Sequence, residues 1–315
     1  MSPAPGNGHA EVSSRYAVFG LVVASDIPLP ELPAASGQEA TDVRIALGPI
    51  DLPEGEPGYF EVVGGTLMSI PRVGRYLMRG GREIVVEPCP EASARNVRLF
   101  LLGSALGALL HQRGLLPLHA NAIEIGGAAV AFCGHSGAGK STIAAWFHDR
   151  GHRVMTDDVC VVGFDAAGGA IAYPGIPRLR LWREALEASG RDTASFHRSF
   201  DERDKYDVPT QRDQPGNPMP LAAVYLLRKA DEGSGPAGVQ RLFGIDAVET
   251  LVANTYRGAY LARIGKTAEH LATCVRLARS LPVFAARRRW GFEAFEEQAL
   301  ELAAHAGEWA ALRAP

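Results

Sequence analysis

The 315-residue chain has only four cysteines, and none of them form the short-spaced pairs of a zinc site. Cys89, Cys133, Cys160 and Cys274 are spread widely along the chain, which also argues against a disulfide framework. The nine histidines show no HExxH pattern, so no transition-metal site is predicted. We therefore expect a protein of the reducing cytoplasm.

An excess of charge is also missing, since 32 Lys and Arg face 35 Asp and Glu for a net charge of −3. Such a chain has no strong field to capture a polyanion, and we expect no nucleic-acid partner. The longest apolar run, Leu99–Leu110, is about half as long as a bilayer crossing requires. It predicts a buried helix and no membrane association, and the first residues lack the order of a signal peptide.

The chain divides into two predicted domains, a small N-terminal β-rich module with a flexible tail (1–95) and a second domain (96–315). Short β-like runs separated by Gly and Pro turns indicate the first domain: Ala17–Val23, Val43–Leu47, Phe60–Val63 and Ile84–Val86. Apolar residues at helical spacing then predict a helix over Asn96–Arg113, ending at Gly114.

Strands and helices alternate in the second domain, which predicts an α/β fold. The predicted strands are Ala128–Cys133, Val159–Phe164, Ala170–Tyr173 and Leu221–Leu227, and the predicted helices are Ser141–Arg150, Ile245–Tyr256, Thr267–Leu281 and Phe292–Leu312. The polar stretch Ser189–Pro218 is too long and hydrophilic for an ordinary connection. We expect it to be a mobile lid or disordered.

A phosphate-binding motif, GxxxxGK[ST], follows the predicted strand Ala128–Cys133. Its residues are Gly134, His135, Ser136, Gly137, Ala138, Gly139, Lys140 and Ser141. Glycines let backbone N–H groups surround phosphate oxygens, and the following helix adds its positive end. We expect ATP here, with Lys140 on the phosphates, Ser141 on Mg²⁺ and Thr142 completing the segment. The alternative is a glycine-rich turn whose lysine is merely solvated.

Two carboxylates follow the motif at the end of another short apolar segment, in Thr156-Asp157-Asp158-Val159. Adjacent strand residues point to opposite faces, but a bend at the strand end can bring both to one site. One carboxylate can then hold a metal while the other acts as a base. We expect Asp157 as the base and Asp158 toward magnesium; the alternative is a surface turn or helix cap.

These motifs resemble the HPr kinase/phosphorylase family in order: Leu118-His119-Ala120, then the glycine loop, then the Asp pair. The resemblance implies a phosphoenolpyruvate-carboxykinase-like α/β domain, a catalytic aspartate that activates a serine hydroxyl, and a catalytic role for His119 beside it. Thr142 stands where the family has an acidic residue, and Pro174–Trp182 replaces its Glu-x-Arg-Gly-Leu-Gly segment. Phosphorylase activity and HPr as the acceptor are therefore left open.

A more specific similarity involves Gly74–Leu77, Arg98–Gly103 and Arg113–Ala120. These segments are similar to HPr-kinase-like proteins that accompany lasso-peptide biosynthesis. The resemblance implies a peptide or small-protein substrate with an acceptor serine, specifically the C-terminal serine of a lasso-peptide precursor. The N-terminal module would then help to recognise that peptide.

The sequence thus predicts an ATP-dependent serine kinase that uses Mg²⁺. Two alternatives stay open, a P-loop NTP hydrolase in which Asp157 positions water and a non-catalytic ATP-binding regulator. A homo-oligomer is equally open. Arg178 and Arg180 face either a transferring phosphate or solvent, and Lys205 belongs either to a lid or to a solvated loop.

Overall fold

The computed structural model describes residues 14–52, 56–200, 203–210, 217–230, 237–289, 291 and 293–314. Within them the fold is mixed α/β, with a seven-stranded, a nine-stranded and a three-stranded sheet. None of the helices in this described part is long and apolar enough to cross a membrane. All four cysteines are free thiols.

The first sheet uses seven strands in the order β1-β2-β3-β7-β6-β5-β4. They are β1 Ser14–Val18, β2 Leu21–Ser25, β3 Val43–Leu47, β4 Gly58–Val62, β5 Gly65–Ile70, β6 Gly74–Arg79 and β7 Glu83–Pro88. The prediction of one strand over Ala17–Val23 is wrong, because Phe19 and Gly20 turn the chain with positive φ angles of 55° and 72°. The two halves pair as an antiparallel hairpin.

The predicted helix over Asn96–Arg113 is confirmed but interrupted by a π-helical turn. Helix α1 spans Ala94–Phe100, the π turn spans Leu101–Ala105, and helix α2 spans Leu106–Gln112. The Ser93 hydroxyl caps the start, and Gly114 has the positive φ of 74° expected of a residue that ends a helix. Its apolar side packs against the first sheet in one buried cluster.

The remaining strands and helices follow in chain order. They are β8 Leu116–Leu118, β9 Ala120–Ile125, β10 Ala128–Cys133, α3 Lys140–Asp149, β11 Val154–Thr156, β12 Cys160–Phe164, β13 Ala170–Tyr173, β14 Arg178–Trp182, α4 Arg183–Ala188, β15 His197–Phe200, β16 Arg203–Pro209, β17 Met219–Lys229, β18 Gly238–Leu242, α5 Gly244–Ala253, α6 Thr267–Ser280, β19 Val283–Arg288 and α7 Phe295–Ala311. Strands β10 and β13 match their predictions, and the other predicted strands and helices here differ only at their ends. The predicted start of the last helix, at Phe292, lies outside the described residues.

The nine-stranded sheet is covered by helices on both faces. Strands β10, β17 and β19 pair in parallel at its centre, while antiparallel strands extend it to either side. Helices α3 and α7 pack on one face around Phe132 and Tyr225, and α5 and α6 pack on the other. The central strands are apolar along most of their length because both of their faces are buried, and β17 and β19 end in charged residues.

The three-stranded sheet, in the order β14-β16-β15, contains much of the polar stretch Ser189–Pro218. The expectation of disorder is therefore wrong for 197–200 and 203–209, the lid alternative stays a prediction, and 201–202 and 211–216 lie outside the described residues. Strand β14 supplies the edge on which β16 pairs. The many charged residues of this stretch hid its strands from the sequence analysis. One face of the sheet carries charges, while the other face is apolar and buried.

Candidate active site

The loop from Gly134 to Ser141 connects β10 to α3, at the carboxyl end of the central parallel strands. Gly134, Gly137 and Gly139 all have positive φ angles, of 145°, 85° and 85°. A side chain at Gly134 would also meet the Leu227 carbonyl oxygen at 2.8 Å. Glycine is therefore required for this path, and such glycine-rich turns are the kind that offer backbone N–H groups to phosphate oxygens.

Lys140 begins helix α3 and folds back over the loop. Its Nζ donates hydrogen bonds to the carbonyl oxygens of Gly134 at 2.7 Å and His135 at 3.2 Å. Burial lowers the pKa of Lys140, while the nearby carboxylates of Asp158 and Asp157 oppose that shift. A buried ammonium group held by neutral carbonyls is well suited to bind an anion such as a phosphate.

Two further side chains support the loop, and the sequence did not identify them. Asn121 on β9 donates from Nδ2 to the Lys140 carbonyl, and Arg288 on β19 donates from a guanidinium nitrogen to the Ala138 carbonyl at 2.7 Å. The only signals were a polar residue within an apolar strand and membership of the basic run 287–289. Neither signal points to a loop contact.

The Asp157-Asp158 pair lies where β11 ends beside the loop. Asp158 has a positive φ of 75°, and this bend lets two adjacent carboxylates reach one site. The Ser141 hydroxyl lies 3.2 Å from each carboxylate oxygen of Asp157, whose Oδ2 also accepts the Arg180 N–H at 2.7 Å. Asp158 instead forms an ion pair with the Arg180 guanidinium at 2.9 Å.

The pKa values of the two carboxyl groups are shifted in opposite directions. Burial raises the pKa of Asp157, with the Lys205 ammonium working against this. Burial also disfavours ionised Asp158, but the Arg180 guanidinium, with smaller contributions from Lys205, His119 and Lys140, outweighs it and holds the pKa of that carboxyl well below its usual range. Among the described residues Asp157 thus forms no direct ion pair, whereas Asp158 has one with Arg180.

His119 follows β8 and contacts the second carboxylate. Its Nδ1 lies 3.0 Å from the Asp158 carbonyl oxygen and 3.7 Å from its carboxylate. A carbonyl oxygen only accepts, so Nδ1 carries the proton and Nε2 is left as an acceptor. Burial, followed by the Lys140 charge, lowers the pKa of His119, so the ring is neutral near neutral pH.

The segment after α5 fixes His119 from the other side. The His119 N–H donates to the Asn254 carbonyl at 2.7 Å, and the Tyr256 N–H donates to the Pro117 carbonyl at 2.8 Å. The rings of His119 and Tyr256 lie 5.9 Å apart. Tyr256 in turn packs against Gly103 and Gly107, so the π turn and α2 contribute to positioning the histidine.

A pocket of about 870 Å³ lies beside many of these groups. Its walls include the phosphate-loop residues, Thr142, His119 and Asp158, and the cations Arg180 and Lys205. Asp157 is not part of this wall and is only 9% exposed. Arg178 is also absent from the wall, since it binds Asp207 at 3.1 Å. The volume suits a nucleotide with part of a second substrate, because ligand pockets span roughly 300–1,000 Å³.

The site offers a pair of oxygen ligands for magnesium. Within the described ranges no group of three or more His, Cys, Asp and Glu could hold a metal ion. Magnesium at phosphate sites needs only one or two protein oxygens, with substrate phosphates and waters supplying the rest. The Ser141 hydroxyl and the Asp157 carboxylate are such oxygen ligands. Burial raises the pKa of Asp157, which fits a carboxyl whose charge a bound cation would stabilise.

Comparisons with known proteins give a limited result. No protein-family model and no curated protein matches the chain. A solved structure that matches is the Hpr(Ser) kinase/phosphatase from Coxiella burnetii, over 61% of this chain and 97% of that one, at 12% identity and a TM-score of 0.32. At that score the likeness carries no argument about activity. The matched protein is of the family that the motifs resemble, whereas the lasso-peptide resemblance and the domain division at residue 95 stay predictions.

Proposed function

We propose that the protein is an ATP-dependent phosphotransferase that moves a phosphoryl group onto a hydroxyl group. The observation that carries the proposal is the Ser141–Asp157 contact, 3.2 Å from the hydroxyl to both carboxylate oxygens, at the start of a helix that also carries Lys140. A hydroxyl, a carboxylate and a lysine in this arrangement form the binding set for a magnesium–triphosphate complex. Asp158 and His119 in the same pocket provide an acceptor side.

The geometry favours an exchange of the roles expected for the two aspartates. In this proposal Asp157 and Ser141 hold magnesium, because their oxygens already lie together. Bound magnesium would neutralise phosphate charge. Asp158 faces the pocket and stays ionised, so it orients the acceptor hydroxyl and receives its proton. A strong base is not needed, since phosphoryl transfer passes through a loose transition state.

The proposed step is a direct transfer between two oxygen atoms. The bond between the γ-phosphorus and the β–γ bridging oxygen breaks, and its electron pair stays with ADP. A bond forms between the acceptor oxygen and the same phosphorus, and the hydroxyl proton passes to Asp158. Lys140 binds the phosphates and keeps its protons throughout, and neutral His119 keeps Asp158 in place through the Nδ1–H contact to its carbonyl.

The finer assignments rest on the motifs rather than on the geometry. We propose a phosphoenolpyruvate-carboxykinase-like domain of the HPr kinase type and a serine of a peptide or small protein as acceptor, including the C-terminal serine of a lasso-peptide precursor. The first sheet would take part through α1 and the π turn, because Leu99, Phe100 and Gly103 line the pocket. In this proposal the acceptor lies along this part of the pocket wall, beside the nucleotide.

The direct test is phosphoryl transfer from MgATP to peptides that end in serine, followed by mass spectrometry. Lys140→Ala should lose at least about 10²-fold in transfer rate, as expected when a principal cation on a transferring group is removed. Lys266→Ala is the matched control, since Lys266 pairs with exposed Glu269 on α6. The control should transfer at the wild-type rate.

Three outcomes would count against the proposal. Equal transfer by Lys140→Ala and the wild type would contradict the assigned phosphate site. Release of inorganic phosphate with no phosphorylated peptide would indicate an NTP hydrolase. Tight MgATP binding without turnover would indicate a nucleotide-binding regulator.

A further inference from the structure

Lys205 lies on β16, the central strand of the three-stranded sheet, opposite Trp182 of β14. Residues paired across an antiparallel sheet share a face, and neighbours along a strand alternate. Leu181 and Tyr206 therefore lie on the opposite face, where both are buried in the core. The sheet thus presents Lys205 to the pocket while its apolar face packs on the protein.

The acidic neighbours of Lys205 are already bound to arginines. Asp204 accepts from Arg183 at 2.5 Å and 2.8 Å, and Asp207 accepts from Arg178 at 3.1 Å. Within the described residues no ion pair involves Lys205. Its ammonium instead lies 5.9 Å from the centre of the Trp182 ring, near the outer limit of a cation–π contact.

The Lys205 charge acts on the groups of the phosphate site. Burial raises the pKa of Asp157, and Lys205 is the strongest influence that lowers it. Burial lowers the pKa of Lys140, and the Lys205 ammonium lowers it further, while the two carboxylates raise it. Lys205, Lys140 and Asp158 line the same pocket, so the Lys205 charge acts on both its carboxylate side and its phosphate side.

We propose that Lys205 binds the phosphoryl group during transfer, between Lys140 and Asp158. This assignment depends on the proposed phosphotransferase function. Its basis is position and availability, since the ammonium of Lys205 lines the same pocket as Lys140 and forms no ion pair with a carboxylate of the described residues. As the bond to ADP breaks and the bond to the acceptor oxygen forms, negative charge on the phosphoryl oxygens meets a second fixed cation. Lys205 neither gains nor loses a proton.

Binding of a transition-state mimic tests this role without a known acceptor. MgADP would be titrated into Lys205→Ala and the wild type by calorimetry, with and without aluminium fluoride, which stands in for the phosphoryl group. MgADP affinity should stay within about threefold, whereas the tightening caused by aluminium fluoride should fall by about 10²-fold. Lys205→Arg should keep part of the tightening because it keeps the charge.

The controls separate this inference from the proposed function. Lys266→Ala should tighten like the wild type. If Lys205→Ala tightens fully, or loses MgADP affinity by the same factor as the mimic, the role in transfer is overturned. If Lys140→Ala still binds MgADP normally, the phosphate site itself is wrong, a result that does not involve Lys205. Lys205→Arg guards against misfolding, because it preserves the length and charge of the side chain.

Discussion

Replacing Asp157 with asparagine should make the ligand-free protein more stable and the ligand-bound protein less stable. The change is nearly isosteric, and the asparagine oxygen can still accept from the Arg180 N–H or the Ser141 hydroxyl. It removes a charge whose burial raises the carboxyl pKa above its usual 3.8. Removing an incompletely compensated buried charge should gain about 1 kcal/mol, at the low end of such penalties because hydrogen bonds remain.

The gain depends on pH in a defined direction. Because the folded pKa is raised, the folded protein holds this proton more tightly than the unfolded chain. Ionisation therefore costs no stability below pH about 4, costs more as the pH rises, and reaches its full cost above the folded pKa. The stability advantage of Asp157→Asn should grow over that range and then level off.

Bound magnesium–nucleotide reverses the order of stability of the wild type and Asp157→Asn. At a concentration one hundred times Kd, MgATP stabilises the wild type by about 2.7 kcal/mol. If loss of the carboxylate contact costs about 2 kcal/mol of binding, Kd rises roughly 30-fold and the same concentration contributes only about 1 kcal/mol. The variant should then be less stable than the wild type, and its magnesium requirement should rise.

Urea unfolding followed by tryptophan fluorescence measures both effects, with and without MgATP across the pH range. Asp51→Asn, at an exposed position, should change neither. Asp158→Asn should lower the transfer rate with little change in the magnesium requirement. If Asp157→Asn loses stability without ligand, or gains the full wild-type stabilisation from MgATP, the assignment of magnesium to Asp157 is refuted.

Two glycine positions give further predictions. Gly107→Ala places a Cβ 2.9 Å from the Tyr256 ring and should cost about 1–2 kcal/mol, since overpacking exceeds the gain in helix propensity. Gly175→Ala places a Cβ 2.1 Å from the Thr156 hydroxyl, next to the Asp157-Asp158 bend, and should lower transfer even in molecules that remain folded. Gly307→Ala on α7 is the control, since its Cβ meets nothing within 4 Å and should stabilise by about 0.5–1 kcal/mol. Thermal unfolding and transfer rates measure all three, and an unaffected Gly175→Ala would contradict the coupling to the bend.

The sequence predicted the phosphate loop and its strand and helix well because both signals are local. Glycine spacing encodes the loop, and the apolar run of β10 encodes a strand buried on both faces. The bend at Asp158 was also foreseeable at a strand end. Which carboxylate faces Ser141 was not, because it depends on the φ of one residue and on the Arg180 N–H from another sheet.

The three-stranded sheet was missed for a physical reason. Strand β16, Arg-Asp-Lys-Tyr-Asp-Val-Pro, alternates charged and apolar residues only over Lys205–Val208, and its members in the buried core are Tyr206 and Val208. A pattern this short does not stand out from a solvated loop. Its stability comes from pairing with β14 and from ion pairs between distant residues, which no local pattern records.

The buried charges of Asp157 and Lys140 also explain why this site should bind a complex of a metal ion with an anion rather than a single ion. Burial raises the pKa of Asp157 and lowers that of Lys140, so the same low-dielectric surroundings penalise an anion and a cation that are not paired with each other. A metal ion alone would stabilise the charge of Asp157 but repel Lys140. A phosphate alone would stabilise the charge of Lys140 but repel Asp157. A magnesium–polyphosphate complex relieves both, so metal and nucleotide should bind with positive coupling, each weakly when the other is absent.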